Sequence, residues 1–489
     1  MEEKDAAGPA ADTGQQDKNG RAQPEPSLQE ERAVDESRNL NPVLFVVESR
    51  AQKRQGDNAG SLEAGAAVAA AAAAEEEEER EEEPVEETYP EGGARAWLVV
   101  LGSWMALVAS LGLMNTIGVL QSYVSKHQLA DRSEGTVGWI FSVYTFLSFF
   151  LGLYIGPVFD KYGPRWLVAG GTALLATGTM LLGSCVEYWH FMLVFGLVNG
   201  AATALLFTPS IAAIGHWFRD RRGLATGVAS SGGGVGGVVF PLLLASLLER
   251  VGFAWSVRAM GLVSTALAVG ANFLIRSRLP AERGARARPD PRILRDRAFA
   301  LTTLGIFLME FGLFIPLGFL PLYARAQGFD EAFSFRIMTV LNAASVVGRA
   351  LPGWWADIIG PANANILAIV QSIVACLAVW WPAGGTTAGI VVFAVLFGFA
   401  SGTNISLAPL CIGRLCKTQN YGRYYATTYT IVSFACLVGI PIAGNIVGVT
   451  EGGRYWGLIL FTGLLYCASL VAFVAARVYV VGWNPLVVF

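Results

Sequence analysis

The sequence predicts an all-α membrane protein, with twelve spanning helices in two related six-helix halves behind a disordered acidic tail. Three observations carry this expectation. The 489-residue chain is 53% hydrophobic and only 15% charged, far from the balance of a soluble domain. From Ala96 onward, long apolar runs alternate with short polar turns. One of those turns occurs twice: GPVFDKYGPR (Gly156–Arg165) and GWWADIIGPA (Gly353–Ala362) share Gly, Asp four places on, Gly seven on and Pro eight on, 197 residues apart.

Residues 1–88 form the tail. Residues 1–95 hold 24 acidic and 10 basic side chains, a net of −14, whereas the rest of the chain carries +11. The tail is rich in Gln, Glu, Pro and Ala and closes on AAVAAAAAAEEEEEREEE (Ala66–Glu83), with too little apolar area to offset ordering entropy. Its Ala run is far short of the ~20 residues that a spanning helix needs. MEEKDAAG has no apolar core of a signal peptide, so a cytosolic tail is expected.

The spans follow in order at 96–124, 136–158, 166–185, 190–216, 223–248 and 254–275 in residues 89–275. The second half, 299–489, places them at 299–324, 334–355, 363–382, 386–413, 424–447 and 456–480. Each approaches or exceeds the length that crosses the hydrocarbon, where backbone groups must be satisfied within helices. The loops expected on one face carry 16 Lys and Arg, and those on the other carry 6, which places both termini in the cytosol. Residues 276–298 are polar and carry eight Arg, which suits a cytosolic linker lying against anionic lipid. Nucleic-acid binding is not expected there.

Both acidic turns fall between the second and third helix of a half. A second echo pairs Gly196, Gly200 and Pro209 with Gly398, Gly402 and Pro409. The chain therefore reads as a duplicated six-helix unit, the organisation of transporters with two related halves. Gly163 and Gly360 permit the tight turn, and Pro164 and Pro361 suit the first turn of the next helix. Asp160 and Asp357 stand where a carboxylate meets helix N-termini or arginine.

These turns resemble the major facilitator superfamily, whose loop between helices two and three carries a G-x-x-x-D-x-x-G-x-R pattern. The resemblance covers about residues 89–485. More narrowly, YPEGGARAW (Tyr89–Trp97) and HWFRDRRGLATGVASSGGGVGG (His216–Gly237) resemble the monocarboxylate-porter branch in its fungal form. The resemblance implies alternating access about a central site, with Asp160, Lys161, Gly163 and Arg165 latching the cytosolic side. The second copy keeps Asp357 and Gly360 but has Ala362 where Arg would stand, so that latch would rest on Arg414, Arg423 or another base. Gly232–Gly237 also fits the dinucleotide G-x-G-x-x-G pattern, but inside a membrane span close helix packing explains it better.

Ionisable groups inside a bilayer are costly and mark function. Arg349 lies roughly 22 Å into span eight and Glu310 roughly 17 Å into span seven. A guanidinium binds a carboxylate bidentately, and the branch has an arginine four residues before a Gly here, as Arg349 and Gly353 reproduce. Glu310 is either a proton-coupling group or a static partner of Arg349. The branch's first-helix lysine falls on Asn115, and its acidic residue in helix eight falls on Ser345, so its usual proton relay is absent as a pair. Asn115, Tyr144, Asn199, Phe207, Phe311 and Asn404 are expected to line a cavity broad enough for a larger metabolite.

Arg258 and Arg477 are expected to anchor or snorkel at span ends, as are Trp354, Trp355, Trp380 and Trp381. The six Cys lack CxxC spacing or His partners and read as small buried hydrophobes. No cofactor, metal or enzyme is expected: the sequence has no HExxH, Walker A or GxSxG and only three His.

The leading expectation is a secondary transporter of a small organic anion in a multi-pass membrane location, the plasma membrane first and the vacuolar membrane second. A proton gradient is one candidate energy source. The alternatives are an importer or exporter of a larger metabolite, such as a vitamin or secondary product, and a non-transporting receptor with a signalling tail.

Overall fold

The computed structural model describes residues 89–278, 291–383, 385–449, 455–484 and 487–488. The acidic tail, most of the basic linker and the turn carrying Arg454 lie outside the described residues. Residues 88–489 make one compact unit. Among the described residues there are helices and turns and no strand.

The first half holds α1 (Gly93–Lys126), α2 (Gly135–Tyr162), α3 (Arg165–Leu182) and α4 (Tyr188–Ile214). The stretch Arg222–Leu274 is two spans, α5 (222–251) and α6 (253–274), joined at Gly252, whose φ of 75° turns the chain sharply back. The second half holds α7 (Arg297–Ala326), α8 (Glu331–Ile359), α9 (Pro361–Ala383), α10 (Thr387–Gly413), α11 (Tyr421–Val449) and α12 (Trp456–Val481). The twelve spans match the expected order. The charges of Arg336, Arg349 and Asp357 make α8 the least apolar of them in reading, although its 29 residues suffice to cross.

Capping chemistry sets several helix starts. Ser133 accepts from the Thr136 N–H (3.2 Å), Asp330 from the Phe333 N–H (3.1 Å) and Thr386 from the Gly389 N–H (3.2 Å). Both acidic turns close as expected: Gly163 has φ 76° and Gly360 has φ 92°, and Pro361 opens α9.

Small residues then decide how closely helices approach. The Gly-rich face of α5 is a seam between other helices. Gly232 and Gly236 pack on Trp104, Val108 and Gly112 of α1, while Gly227 and Gly234 pack on α8 at Arg349 and Val346. In the second half, Gly348 of α8 sits against the Phe399 carbonyl and Gly402 of α10 against Ser345. Without lipid-excluding hydrophobic force between helices, such close backbone contact is a main source of packing energy.

Two residues expected to reach the membrane interface from span ends are buried instead. Trp380 is fully buried and stacks on Phe393 (4.6 Å between ring centroids), while Trp381, Trp354 and Trp355 remain exposed. Arg477 does not snorkel. It is buried, and its guanidinium donates to Asn363 Oδ1 (2.6 Å) and to the carbonyls of Gly482 (3.3 Å), Asn484 (2.6 Å) and Val487 (3.2 Å). Four of the six cysteines are buried, and all are free thiols.

A Cβ at Gly348 would run into the Phe399 backbone, which cannot rotate away, whereas nothing stands within 4 Å of one at Gly118. Gly348→Ala should therefore cost about 1–3 kcal/mol. Gly118→Ala should be neutral or stabilising by a few tenths, to about 1 kcal/mol. Thermal melting in detergent measures both, and equal melting points would contradict the packing.

Candidate functional site

The two acidic turns do the same thing in mirrored places. Asp160, at the end of α2, accepts from the backbone N–H groups of Gly422 (2.9 Å) and Arg423 (2.8 Å) at the start of α11. Asp357, near the end of α8, accepts from those of Gly223 (2.6 Å) and Leu224 (2.9 Å) at the start of α5. Each carboxylate thus caps a helix of the opposite half, where free N–H groups and the helix dipole favour negative charge. Bare backbone makes the approach possible. A Cβ at Gly156 would collide with the Gly422 carbonyl, and one at Gly353 with the Gly223 carbonyl. Lys161 and Arg165 are exposed, and Arg414 lies within electrostatic reach of Asp357.

The lead-in to α1 joins the same face. Glu91, a non-glycine residue at φ 48°, accepts from three successive backbone N–H groups: Arg219 (2.6 Å), Asp220 (2.9 Å) and Arg221 (3.1 Å). Five N–H groups around the start of α5 therefore go to two carboxylates. The Tyr89 hydroxyl donates to Thr418 Oγ1 in the other half (3.0 Å). Arg222 lies over the Tyr421 ring (4.2 Å). Nearby His216, just past α4, is buried; burial and the charges of Arg222 and Arg278 lower its pKa to about 4, so it adds no charge at neutral pH.

The ionisable pair lies deeper. Arg349 donates from Nε to Ser345 Oγ (3.1 Å) and from Nη1 to the Ser230 carbonyl of α5 (3.2 Å), a bond between halves. Its Nη2 donates to no described residue. Glu310 is within electrostatic reach but not at ion-pair distance. Both are buried. Asn115 Nδ2 donates to the Gly233 carbonyl (3.1 Å) and Asn342 Nδ2 to that of Gly237 (3.2 Å). A Cβ at Gly233 would meet the Arg349 guanidinium, and one at Gly237 would meet Asn115. So α5 offers a ladder of carbonyls to donors from α1 and α8. It brings Arg349, Ser345 and Asn115 into one neighbourhood.

The Major Facilitator Superfamily profile matches residues 96–440. The chain belongs to that superfamily. An MFS-type transporter of Gibberella moniliformis is 34% identical over 395 residues, spanning 80% of this chain and 92% of that protein. The riboflavin transporter MCH5 of Saccharomyces cerevisiae is 32% identical over 421 residues, 81% of each. The aspyridones efflux protein apdF of Emericella nidulans is 34% identical over 402 residues, 81% of this chain and 80% of that one. The fold is likewise that of solved superfamily structures. FucP in the outward conformation has TM-score 0.61 at 17% identity, and the human organic anion transporter MFSD10 has 0.62 at 16%; each match covers 78% of this chain and 98% of the other. The protein is a multi-pass superfamily transporter rather than an enzyme.

Three expected lining residues of this transporter turn inward within their own half. The Tyr144 hydroxyl bonds Thr203 (2.8 Å) on α4. Asn404 Nδ2 donates to Ser372 on α9 (3.2 Å). Asn199 faces Gly178 on α3. Asn199 is the last residue of a π-helical stretch, Met192–Asn199. Sequence reasoning missed Asn342, although it stands seven residues, two turns, before Arg349 on the same helix face. It also missed Gly223 and Gly422, which repeat near the turn's own spacing.

A charge-assisted hydrogen bond is worth about 1.5–3 kcal/mol. Asp160→Ala should therefore separate α2 from the α11 start, and Asp357→Ala should separate α8 from the α5 start. Spin labels across each crossing measure this. Unchanged distance distributions in both variants would mean that the carboxylates do not hold the halves together.

Proposed function

We propose that this chain is a secondary carrier of the monocarboxylate-porter type, moving an organic anion by alternating access with Arg349 as its anion-binding group. The observation that carries the reading is a mid-depth guanidinium beside a carboxylate it does not pair with, its Nη2 donors unclaimed by the described protein. A dry, low-dielectric setting strengthens any bidentate contact such an edge makes. Asp160 and Asp357 act as latches. They fasten the cytosolic ends of α2 to α11 and of α8 to α5 while the site faces outward, and Gly163 and Gly360 shape the turns that aim them. The excess of basic loops on that face supports its cytosolic orientation, with both termini there. The plasma membrane is the location we favour.

Glu310 is the coupling group in this reading. A carboxyl near Arg349 ionises more readily when the arginine is free and less readily once an anion occupies it, so substrate and proton bind together. The resulting activity is symport. A second reading has specific support: Asn115 and Ser345 replace a charged pair with neutral amide and hydroxyl, which suits a larger metabolite moved without that relay. The printed functions of two relatives, riboflavin transport and aspyridones efflux, are compatible with it.

Reconstituted protein in liposomes separates these readings. Arg349→Ala should lower uptake of an anionic cargo by on the order of 100-fold, as for a lost charge-assisted bidentate contact, with insertion intact. Uptake at the wild-type rate would remove Arg349 from the site. Glu310→Gln should abolish stimulation by an imposed proton gradient while leaving exchange of substrate for substrate; stimulation that persists assigns coupling elsewhere.

A further inference from the structure

Beneath Arg349 lies an aromatic floor that bridges the halves. On α11, Tyr421, Tyr425 and Tyr429 recur every fourth residue and form a ladder, with ring centroids 5.7 and 4.6 Å apart. The top rung, Tyr429, meets Phe149 of α2 (5.5 Å) and Phe207 of α4 (5.8 Å), which meet each other at 5.5 Å. By helical rise, Phe207 and Tyr429 stand about 10–12 Å from the acidic-turn end of their helices, and Arg349 about 15 Å. By that measure the backbone at Phe207 and Tyr429 is less than one turn nearer the acidic-turn end than the backbone at Arg349. Tyr429 is also within electrostatic reach of the guanidinium.

The ring orientations matter. The three interplanar angles are 38°, 77° and 70°, so no ring lies flat on another and their faces are not consumed in mutual stacking. Phe149, Phe207 and Tyr429 keep 4–6% exposure, whereas Tyr425 below them has none. Arg349 and Phe311 also retain a little, at 5% and 9%. The guanidinium and the three rings of the triangle thus each keep a small accessible edge rather than being sealed by protein. Aliphatic side chains would close the floor equally well, but only rings give a quadrupole that favours another flat π system.

We propose that the carrier selects organic anions with a flat, unsaturated or aromatic body. Arg349 holds the charged group, and Phe149, Phe207 and Tyr429 receive the ring. This rests on Arg349 as the anion site and adds what the rest of the substrate looks like. Each aromatic pair contributes about two- to tenfold in affinity beyond area burial.

The test compares benzoate with cyclohexanecarboxylate, which have the same charge and carbon count but a flat and a puckered ring. Binding is read as thermal stabilisation of the purified full chain in detergent, which avoids leakage of the acids across a membrane. Wild type should favour benzoate by about tenfold. Phe149→Leu and Phe207→Leu should each lower that ratio by about two- to tenfold with cyclohexanecarboxylate unchanged, and Phe207→Tyr should keep it. Equal binding of both acids, binding of neither, or an unaltered ratio in both Leu variants overturns ring recognition. Where a Leu variant does not fold, the wild-type ratio decides alone. Arg349→Ala separates the two claims: loss of both acids in that variant, with a wild-type ratio near one, leaves the anion site standing without the ring floor, whereas retained benzoate binding overturns the anion site itself.

Discussion

The structure depends on two places where backbone meets backbone between its halves. At Gly156 against Gly422 and at Gly353 against Gly223, no side chain intervenes, and the neighbouring Asp caps the helix that has just been met. Helix starts expose N–H groups that water normally satisfies, and contact with the other half removes that water. A carboxylate repays the loss with charge-assisted bonds, and the dipole adds a further few tenths to about 1 kcal/mol. Glycine and aspartate are thus one device: the first permits the approach and the second makes it favourable. Either alone fails, since a Cβ would hold the helices apart and an uncapped contact would bury unpaired donors.

The same logic continues at mid-depth with the polarity inverted. There α5 presents carbonyls and its neighbours present donors, from Arg349, Asn115 and Asn342. Because Gly233 and Gly237 have no side chains, the donors reach the backbone itself. A helical carbonyl already serves its own helix, so a second donor shares it weakly. Such bonds hold a guanidinium in place without neutralising it. An ion pair at this depth would fix the charge far more firmly, and breaking it for a substrate would cost several kcal/mol, on the order of 3–5. A weakly tethered arginine is better suited to exchanging partners.

Much of this was legible in the sequence because the signals were local. Apolar run lengths gave the spans, positive φ at Gly163 and Gly360 followed from turn chemistry, and the 197-residue echo exposed the duplication. The structure brings Arg349, Asn115 and Ser345 together around α5. What escaped depended on phase or on partners far away in the chain. Asn199 was placed in the lining by its depth in the span, which does not fix the helix face, and a π-helical stretch that no apolar pattern announces ends at that residue. Arg477 read as a snorkelling residue because three of its four acceptors are backbone carbonyls, which carry no sequence signature, and the fourth, Asn363, is over a hundred residues away in the chain. For Asp160 and Asp357 the turn chemistry allowed helix N-termini or arginine, and the contacts made are with helix N–H groups; which helices supply them was not legible, because peptide N–H groups carry no sequence signature.

The division of labour between halves follows from cost. Glu310 and Arg349 both belong to the second half, on adjacent helices, while the first half contributes backbone carbonyls and the rings of Phe149 and Phe207. With the alternating access proposed above, buried charges on both halves would have to find partners across an interface that opens in every cycle. Each opening would then strand an ion in low dielectric. Keeping the charges together lets them remain near each other while the halves rock, and the moving contacts are those that tolerate separation: shared carbonyls, aromatic edges and capped helix starts at the water face. Under the proposed function, the second half reads the charge of the cargo and both halves together read its shape. Closure can therefore depend on the cargo's body as well as its charge, which gives a carrier with one mid-depth arginine a way to distinguish its substrate from other anions.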